Sequence, residues 1–134
     1  MFLQGDEKMQ VAQANAITGI DCTTYLVKDM DRAIKFWRDT IGLKPTMEYP
    51  GGAGAEFTFN DGTTFGLYKM HDGTWTAGSG VLFRVADVKA AVAGLKQKGV
   101  EFDDNGEIYD GEHCMMAFAK DSEGNSFILH HIKE

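Results

Sequence analysis

A pattern that occurs twice in this chain, 58 positions apart, limits the folds open to it. Val27-Lys28-Asp29 is followed by a helical stretch that closes at Gly42, and Val85-Ala86-Asp87 is followed by one that closes at Gly99. Each copy then continues into segments typical of strands. An internal repeat indicates that one supersecondary unit is used more than once. The sequence therefore predicts two copies of a small structural module.

Each copy has the pattern expected of a βαβββ unit. Aspartates at the helix starts can accept hydrogen bonds from free backbone N–H groups, and glycine ends a helix readily because it adopts the left-handed conformation. Strands of the first copy are expected around residues 19–27, 46–49, 55–60 and 63–70. Strands of the second copy are expected around residues 81–85, 107–109, 114–120 and 126–132. The predicted organisation is a flexible polar tail (1–16), a first module (17–70), a Gly/Thr/Ser-rich linker (71–79) and a second module (80–134).

Composition favours a globular protein without nucleic-acid or membrane partners. Of the 134 residues, 43% are hydrophobic and 25% are charged, and the formal net charge is −7. Nucleic-acid binding depends on an excess of Lys and Arg, and a membrane span needs roughly 18 consecutive apolar residues. The first residues lack the cationic start and apolar core of a secretory signal. We therefore expect a cytoplasmic protein in which Cys22 and Cys114 are reduced thiols.

Alternation along the strands separates two faces of each expected sheet. Bulky apolar side chains occupy one parity and should face the covering helix: Phe57, Phe59, Phe65, Leu67, Val81, Phe83, Val85, Phe127 and Leu129. The other parity mixes polar and apolar side chains, including Thr24, Glu56, Thr58, Tyr68, Leu82 and His130. Such a mixture is typical of a concave pocket, and two modules side by side would curl into a cup. The alternative is a solvent-exposed sheet face.

Three features together resemble one known family. They are the paired strand–V-x-D–helix–Gly units, the Phe36-Trp37 pair late in the first helix, and Asp121-Ser122-Glu123-Gly124-Asn125 before the last strand. In this order the chain resembles the vicinal oxygen chelate superfamily, which includes glyoxalase I, bleomycin resistance proteins and extradiol dioxygenases. The resemblance spans about residues 17–132. It implies an α+β fold in which two tandem βαβββ modules form a cup-shaped sheet.

The resemblance also implies where a divalent metal would bind. Enzymes of the superfamily hold the cation with His, Glu or Gln side chains from four strands. The matching positions here are Cys22, Gly66 or Tyr68, Gly80 and Ile128. Glycine and isoleucine have no donor side chain, whereas a metal site needs three or four converging donors. We therefore expect no metal and no cofactor; the alternative is an improvised site of Cys22, Glu56 and His130.

The function expected from the resemblance is the binding of a small organic molecule in the cup. The predicted ligand-binding residues are Cys22, Thr24, Glu56, Thr58, Tyr68, Trp75, Leu82 and His130. Glu56, Tyr68 and His130 would be the polar anchors. Trp75 would either stack on a flat ligand or plug the cup or a dimer interface. A homodimer is also expected, because family members often dimerise and some complete the cup across chains.

Two other functions stay open at this stage. One is a lyase or isomerase similar to lactoylglutathione lyase, or a dioxygenase, which would use a metal at non-standard ligands. Such an enzyme could instead use acid–base chemistry by Glu56, Tyr68 or His130. The other is a regulatory domain that binds a partner protein and has a filled cup.

Overall fold

Two β-sheets, each covered on one face by a helix, make up the computed structural model, which describes residues 15–78 and 80–134. The first module contains β1 (Thr23–Leu26), α1 (Met30–Lys35) with a π-helical continuation (Phe36–Ile41), β2 (Met47–Glu48), β3 (Gly54–Thr58) and β4 (Thr64–Tyr68). The second contains β5 (Val81–Arg84), α2 (Val88–Gln97), β6 (Glu101–Phe102), β7 (Tyr109–Asp110), β8 (Cys114–Lys120) and β9 (Ser126–Ile132). Short turns lie at Pro50–Gly52 and Asp103–Gly106. Most of the predicted tail falls outside the described residues.

The two sheets have the same strand arrangement. The first has the order β1-β4-β3-β2, and the second has the order β5-β9-β8-β6, with β7 also paired to β8. The first strand of each module pairs in parallel with the last strand, and the other pairings are antiparallel. The predicted α+β fold with two βαβββ units is therefore confirmed. The two-residue strand β6 was not predicted, since so short a segment carries no alternation.

The helix boundaries follow the predicted capping residues. The Asp29 carboxylate accepts a hydrogen bond from Arg32 N at 3.1 Å, and the Asp87 carboxylate accepts one from Ala90 N at 3.0 Å. Gly42 ends the first helical stretch with φ 98°, a conformation that favours glycine. The prediction missed that the second half of this stretch is π-helical. A wider turn of this kind changes the direction of the side chains that follow it.

A single hydrophobic core joins the two modules around Trp37. The indole ring is fully buried and packs against Phe65 of the first module, with ring centroids 4.7 Å apart. It also packs against Phe83 and Phe127 of the second module, at 5.3 and 5.0 Å. The apolar parity predicted to face the helices supplies much of this core. Because both modules enclose one side chain, the two copies form a single folding unit.

Polar groups also connect the modules, at the turn before β9. The buried Glu123 carboxylate accepts hydrogen bonds from Lys28 N at 2.8 Å and Asp29 N at 2.9 Å, and it forms an ion pair with Arg32. Asn125 donates to the carbonyl of Leu26 at 3.0 Å. These contacts hold the start of α1 against the second module.

None of the helices among the described residues is long and apolar enough to cross a bilayer.

Candidate functional site

A carboxylate and two tyrosines form the centre of the candidate site, on the face of the first sheet that α1 does not cover (the cup face). Tyr68 Oη donates to Glu56 Oε2 at 2.5 Å, and Tyr49 Oη donates to the same oxygen at 2.9 Å. Glu56 lies on β3 and pairs with Gly66 of β4, two residues before Tyr68. Strand alternation therefore brings Glu56 and Tyr68 to one face. We call these three residues the Glu56 cluster.

Two glycines form the floor beneath the tyrosine rings. A Cβ atom added to Gly54 would lie 2.8 Å from Tyr68 Cδ1 and 3.0 Å from Tyr49 Cδ2. One added to Gly66 would lie 3.0 Å from Cys22 Sγ and 3.1 Å from Tyr68 Cε2. All four distances are shorter than ordinary van der Waals contacts, so only glycine lets these side chains lie this close to the backbone.

The remaining predicted residues of the first sheet adjoin this floor. Thr24 of β1 and Cys22, which precedes this strand, both lie next to the place that a Cβ atom of Gly66 would occupy. The Thr58 hydroxyl lies 3.2 Å from Thr46 Oγ1 and 2.9 Å from Thr64 Oγ1, which forms a row of hydroxyl groups beside Glu56. The structure thus brings Cys22, Thr24, Glu56, Thr58 and Tyr68 together on one surface. Whether they bind a ligand stays a prediction.

Tyr49 belongs to the cluster but was not among the predicted site residues. It follows β2, where Met47 pairs with Glu56. Met47 and Tyr49 are two residues apart, so both point to the cup face in an extended segment. The parity of β2 was the signal that could have identified Tyr49.

The electrostatic surroundings keep the hydroxyl and thiol groups protonated. Hydrogen bonding to Glu56, with burial and the negative charge of that carboxylate, raises the pKa of Tyr68 well above its ordinary value. Hydrogen bonding to Glu56 also raises the pKa of Tyr49. Burial, and then the charge of Glu56, raises the pKa of the Cys22 thiol. Near neutral pH the tyrosines are therefore donors, and Cys22 is a thiol and not a nucleophilic thiolate.

Three predicted residues lie elsewhere. Leu82 is half-exposed on β5, and His130 lies on β9, where it pairs with Arg84 and Met116. Trp75 donates through Nε1 to the carbonyl of Leu26 at 3.1 Å, and Lys28 Nζ lies 4.0 Å from its ring centroid. These contacts place Trp75 at the connection between the modules. A role for these three residues in ligand binding stays a prediction.

The side chains at the four family metal positions do not fit a divalent cation. Gly80 has φ +124° and Ile128 Cδ1 lies 3.2 Å from where its Cβ would be, so a donor side chain there would be strained and crowded. Gly66 has no space for one either, because Cys22 and Tyr68 occupy it. Cys22, and Tyr68 where it takes the place of Gly66, then supply at most two donors, whereas such sites need three or four. Within residues 15–78 and 80–134, no three His, Cys, Asp or Glu side chains are grouped for metal binding, Cys22–Glu56–His130 included.

A match to a family model identifies the superfamily to which this chain belongs. The model of the Glyoxalase/Bleomycin resistance protein/Dioxygenase superfamily matches residues 19–129, so the chain is a member of that superfamily. The predicted resemblance is thereby confirmed. A comparison with curated proteins gave no match.

Solved structures share the fold at low sequence identity. An antibiotic binding protein from Streptomyces sp. CB03234, TnmS3, has a TM-score of 0.72 at 24% identity, over 88% of this chain and 98% of its own. A lactoylglutathione lyase from Agrobacterium tumefaciens has a TM-score of 0.70 at 17% identity, over 87% of this chain and 96% of its own. A glyoxalase/bleomycin resistance protein/dioxygenase from Nocardioides has a TM-score of 0.69 at 14% identity, over 96% of this chain and 94% of its own. At these identities the likeness concerns the fold alone.

Proposed function

We propose that this protein binds a small organic molecule on the cup face of the first sheet without the family metal. The observation that supports this most directly is the Glu56 carboxylate, which two tyrosine hydroxyls hold in place through one oxygen. A carboxylate fixed in this way, beside two aromatic rings, is a pre-organised acceptor. Ligand sites commonly combine aromatic walls with a few fixed polar groups.

The same contacts favour a particular ligand chemistry. Oε2 of Glu56 is engaged by Tyr49 and Tyr68, and no described donor contacts Oε1. The open oxygen can accept a hydrogen bond from an amine or hydroxyl group. The Tyr49 and Tyr68 rings, with centroids 6.1 Å apart, give an aromatic ring a surface on which to pack. We therefore infer an aromatic molecule that carries a cationic amine or another strong donor.

Metal-dependent chemistry is not proposed for this chain. The lactoylglutathione lyase among the similar structures shares the fold, but Gly66, Gly80 and Ile128 supply no donors here. Tyr68 is also not proposed as a general base, because its raised pKa keeps the proton on the hydroxyl. The antibiotic binding protein shows that this fold is compatible with small-molecule binding in another member.

Titration with tryptamine, followed by ¹H–¹⁵N NMR, tests the proposal. We expect the amide signals of Gly54, Glu56, Gly66 and Tyr68 to shift. E56Q should weaken the affinity by about tenfold or more, since a hydrogen bond to a charged group contributes about 1.5–3 kcal/mol. E112Q is the matched control, because Glu112 is an exposed carboxylate outside the cluster.

Two outcomes contradict the proposal. One is an E56Q variant that binds tryptamine as tightly as the wild type and E112Q. The other is an absence of shifts at these four amides with a panel of aromatic amines of one to four rings.

We also propose that the protein is a homodimer whose interface is the exposed apolar patch on the uncovered face of the second sheet. This face carries Leu82, Tyr109, Phe118 and Ile132, all exposed in the single chain. The strand register places Phe118, Ile128 and Leu82 side by side. Contiguous exposed apolar side chains of this kind favour association.

A further inference from the structure

A cavity lies where the two modules meet, away from the Glu56 cluster. Its volume is about 470 Å³, which is within the range of small-molecule sites. It is bounded by Thr23, by the turn that follows β3, by the start of β4, and by all four residues of β5. No residue of the Glu56 cluster lines it. We call it the junction cleft.

The internal repeat explains why this cleft is open. The repeat offset relates Tyr25 to Phe83 and Leu26 to Arg84. Tyr25 reaches the second module, where its hydroxyl binds Val81 N at 2.7 Å, and Trp75 and Asn125 donate to the carbonyl of Leu26. Phe83 reaches the first module in the reciprocal way but has no hydroxyl. The first junction is thus filled by side chains, whereas its counterpart is the cleft.

Aromatic rings form the inner wall of the cleft. Phe83 packs edge-on against Phe65, with centroids 5.1 Å apart, and lies 6.5 Å from the Phe59 centroid. All three residues line the cleft; Phe59 and Phe83 are only partly buried, whereas Phe65 belongs to the buried core. A planar ring that entered here would gain further edge-to-face contacts and would bury apolar surface.

A guanidinium group lies at the mouth. Arg84 Nη2 is 3.4 Å from Asp61 Oδ2, and the Arg84 side chain is 82% exposed. Asp61 Oδ1 is already engaged by the amide and hydroxyl of Thr63, at 3.0 and 2.6 Å. Among residues 15–78 and 80–134, Arg84 has this one hydrogen bond, so most donors of its guanidinium remain available in a geometry that matches a carboxylate.

The edge of β5 that is unpaired among the described residues adds backbone donors on the same side. Val85 N donates to the His130 carbonyl at 2.9 Å, so the amides of Phe83 and Val85 point towards β9. Because alternate residues of a strand point to opposite sides, the amides of Leu82 and Arg84 point away from β9. β5 is the outermost strand of its sheet, and its residues line the cleft.

We propose that the junction cleft is a second binding site, for a small planar aromatic carboxylate. The ring packs against Phe59 and Phe83, and the carboxylate pairs with Arg84. This ligand class is opposite in charge to the one proposed for the Glu56 cluster. The two sites can therefore be tested separately in one protein.

Indole-3-acetate is the probe, because it has the ring of tryptamine with a carboxylate in place of the amine. In ¹H–¹⁵N spectra of the full chain we expect it to shift the amides of Thr23, Thr63, Phe83 and Arg84. R84Q should weaken its affinity by about tenfold or more, as for loss of a charge-assisted hydrogen bond. K89Q, which removes an exposed cation of α2 that does not line the cleft, should leave the affinity unchanged.

The amide signals that indole-3-acetate shifts distinguish the possible outcomes. Equal affinity of R84Q, K89Q and the wild type overturns the junction-cleft proposal, and so does the absence of shifts at these four amides. Shifts confined to Gly54, Glu56 and Tyr68 also overturn it, while they leave ligand binding at the Glu56 cluster intact. Tryptamine shifts at the cluster are scored independently, so failure of one proposal does not affect the other.

Discussion

The Tyr25 hydroxyl lies between two strands of the second sheet. It accepts a hydrogen bond from Val81 N and donates one to the Ser126 carbonyl. These two backbone groups would otherwise be neighbours in the ladder between β5 and β9. A side chain of the first module therefore takes part in the hydrogen bonding of the second sheet, and burial raises the pKa of this hydroxyl.

Replacing this hydroxyl should destabilise the protein. Y25F leaves the Val81 N–H and the Ser126 carbonyl without their partner, at a cost of about 1–3 kcal/mol in the free energy of unfolding. Urea denaturation measures it. Y109F removes the same hydroxyl from an exposed tyrosine and should change the free energy by less than about 0.5 kcal/mol. Equal losses in Y25F and Y109F would show that the inserted hydroxyl does not stabilise the fold.

Gly66 tests the floor of the Glu56 cluster. In G66A the new methyl group must displace Tyr68 or Cys22, which should cost about 1–3 kcal/mol of stability and weaken tryptamine binding. Gly94 of α2 has no atom within 4 Å of its added Cβ, so G94A should instead stabilise by about 0.5–1 kcal/mol. Thermal unfolding and the NMR titration measure both effects. A G66A variant with native stability and affinity contradicts the described floor.

The turn Asp121–Asn125 is an element whose main contacts are made outside its own module. Burial alone raises the pKa of Glu123, but the Arg32 guanidinium and the amides of Asp29 and Lys28 outweigh it and lower the pKa to about 2. A carboxyl with a lowered pKa stabilises the folded state above its unfolded pKa. That stabilisation is lost as the pH falls from about 4.5, the ordinary value, towards 2.

Acid denaturation of E123Q should reveal this dependence. The wild type should lose stability between about pH 4.5 and pH 2 more steeply than E123Q, which has no carboxyl to protonate at this position. E123Q should also be less stable than the wild type at pH 7, because it has lost the ion pair with Arg32. Unfolding by guanidinium chloride at a series of pH values measures this stability. If the free energies of unfolding of the wild type, E123Q and the surface control E112Q fell in parallel with pH, the predicted role of Glu123 would be contradicted.

Among the helices and strands, the features that depend only on nearby residues in the sequence were predictable. In the structure the first cap is Asp29, where spacing had left Asp29 or Asp31 open. The Asp87 cap, the end at Gly42 and the faces of β3, β4, β5 and β9 follow from spacing alone. The π-helical turn at Phe36–Ile41 does not, because it accompanies the packing of Trp37 against rings from both modules. Such long-range contacts override local preference and leave no pattern of their own.

Across the whole molecule, the proposed dimer depends on the exposed face of the second sheet. F118K places a charge in the middle of Leu82, Ile128 and Phe118 and should shift the protein towards monomer. A93K adds the same charge on the exposed side of α2, across the sheet from this face, and should leave the assembly unchanged. Sedimentation equilibrium measures the mass. A wild-type monomer, or equal masses for F118K and the wild type, would refute the dimer.

The candidate site was predictable only within one sheet. Cys22, Thr24, Glu56, Thr58 and Tyr68 meet because parity and strand pairing within one module fix their positions. Leu82, His130 and Trp75 depend on how the two modules are joined, and a repeat offset does not encode that arrangement. The junction cleft was missed for the same reason, since its walls come from both copies.

The shared environment of Trp37 has a consequence for biosynthesis. Phe65 is available once the first module has been translated, but Phe83 and Phe127 come from the second. A nascent first module on the ribosome therefore has a large indole surface without its partners. The chain cannot complete its first core until β9 has left the exit tunnel, so the two copies mature together and not one after the other.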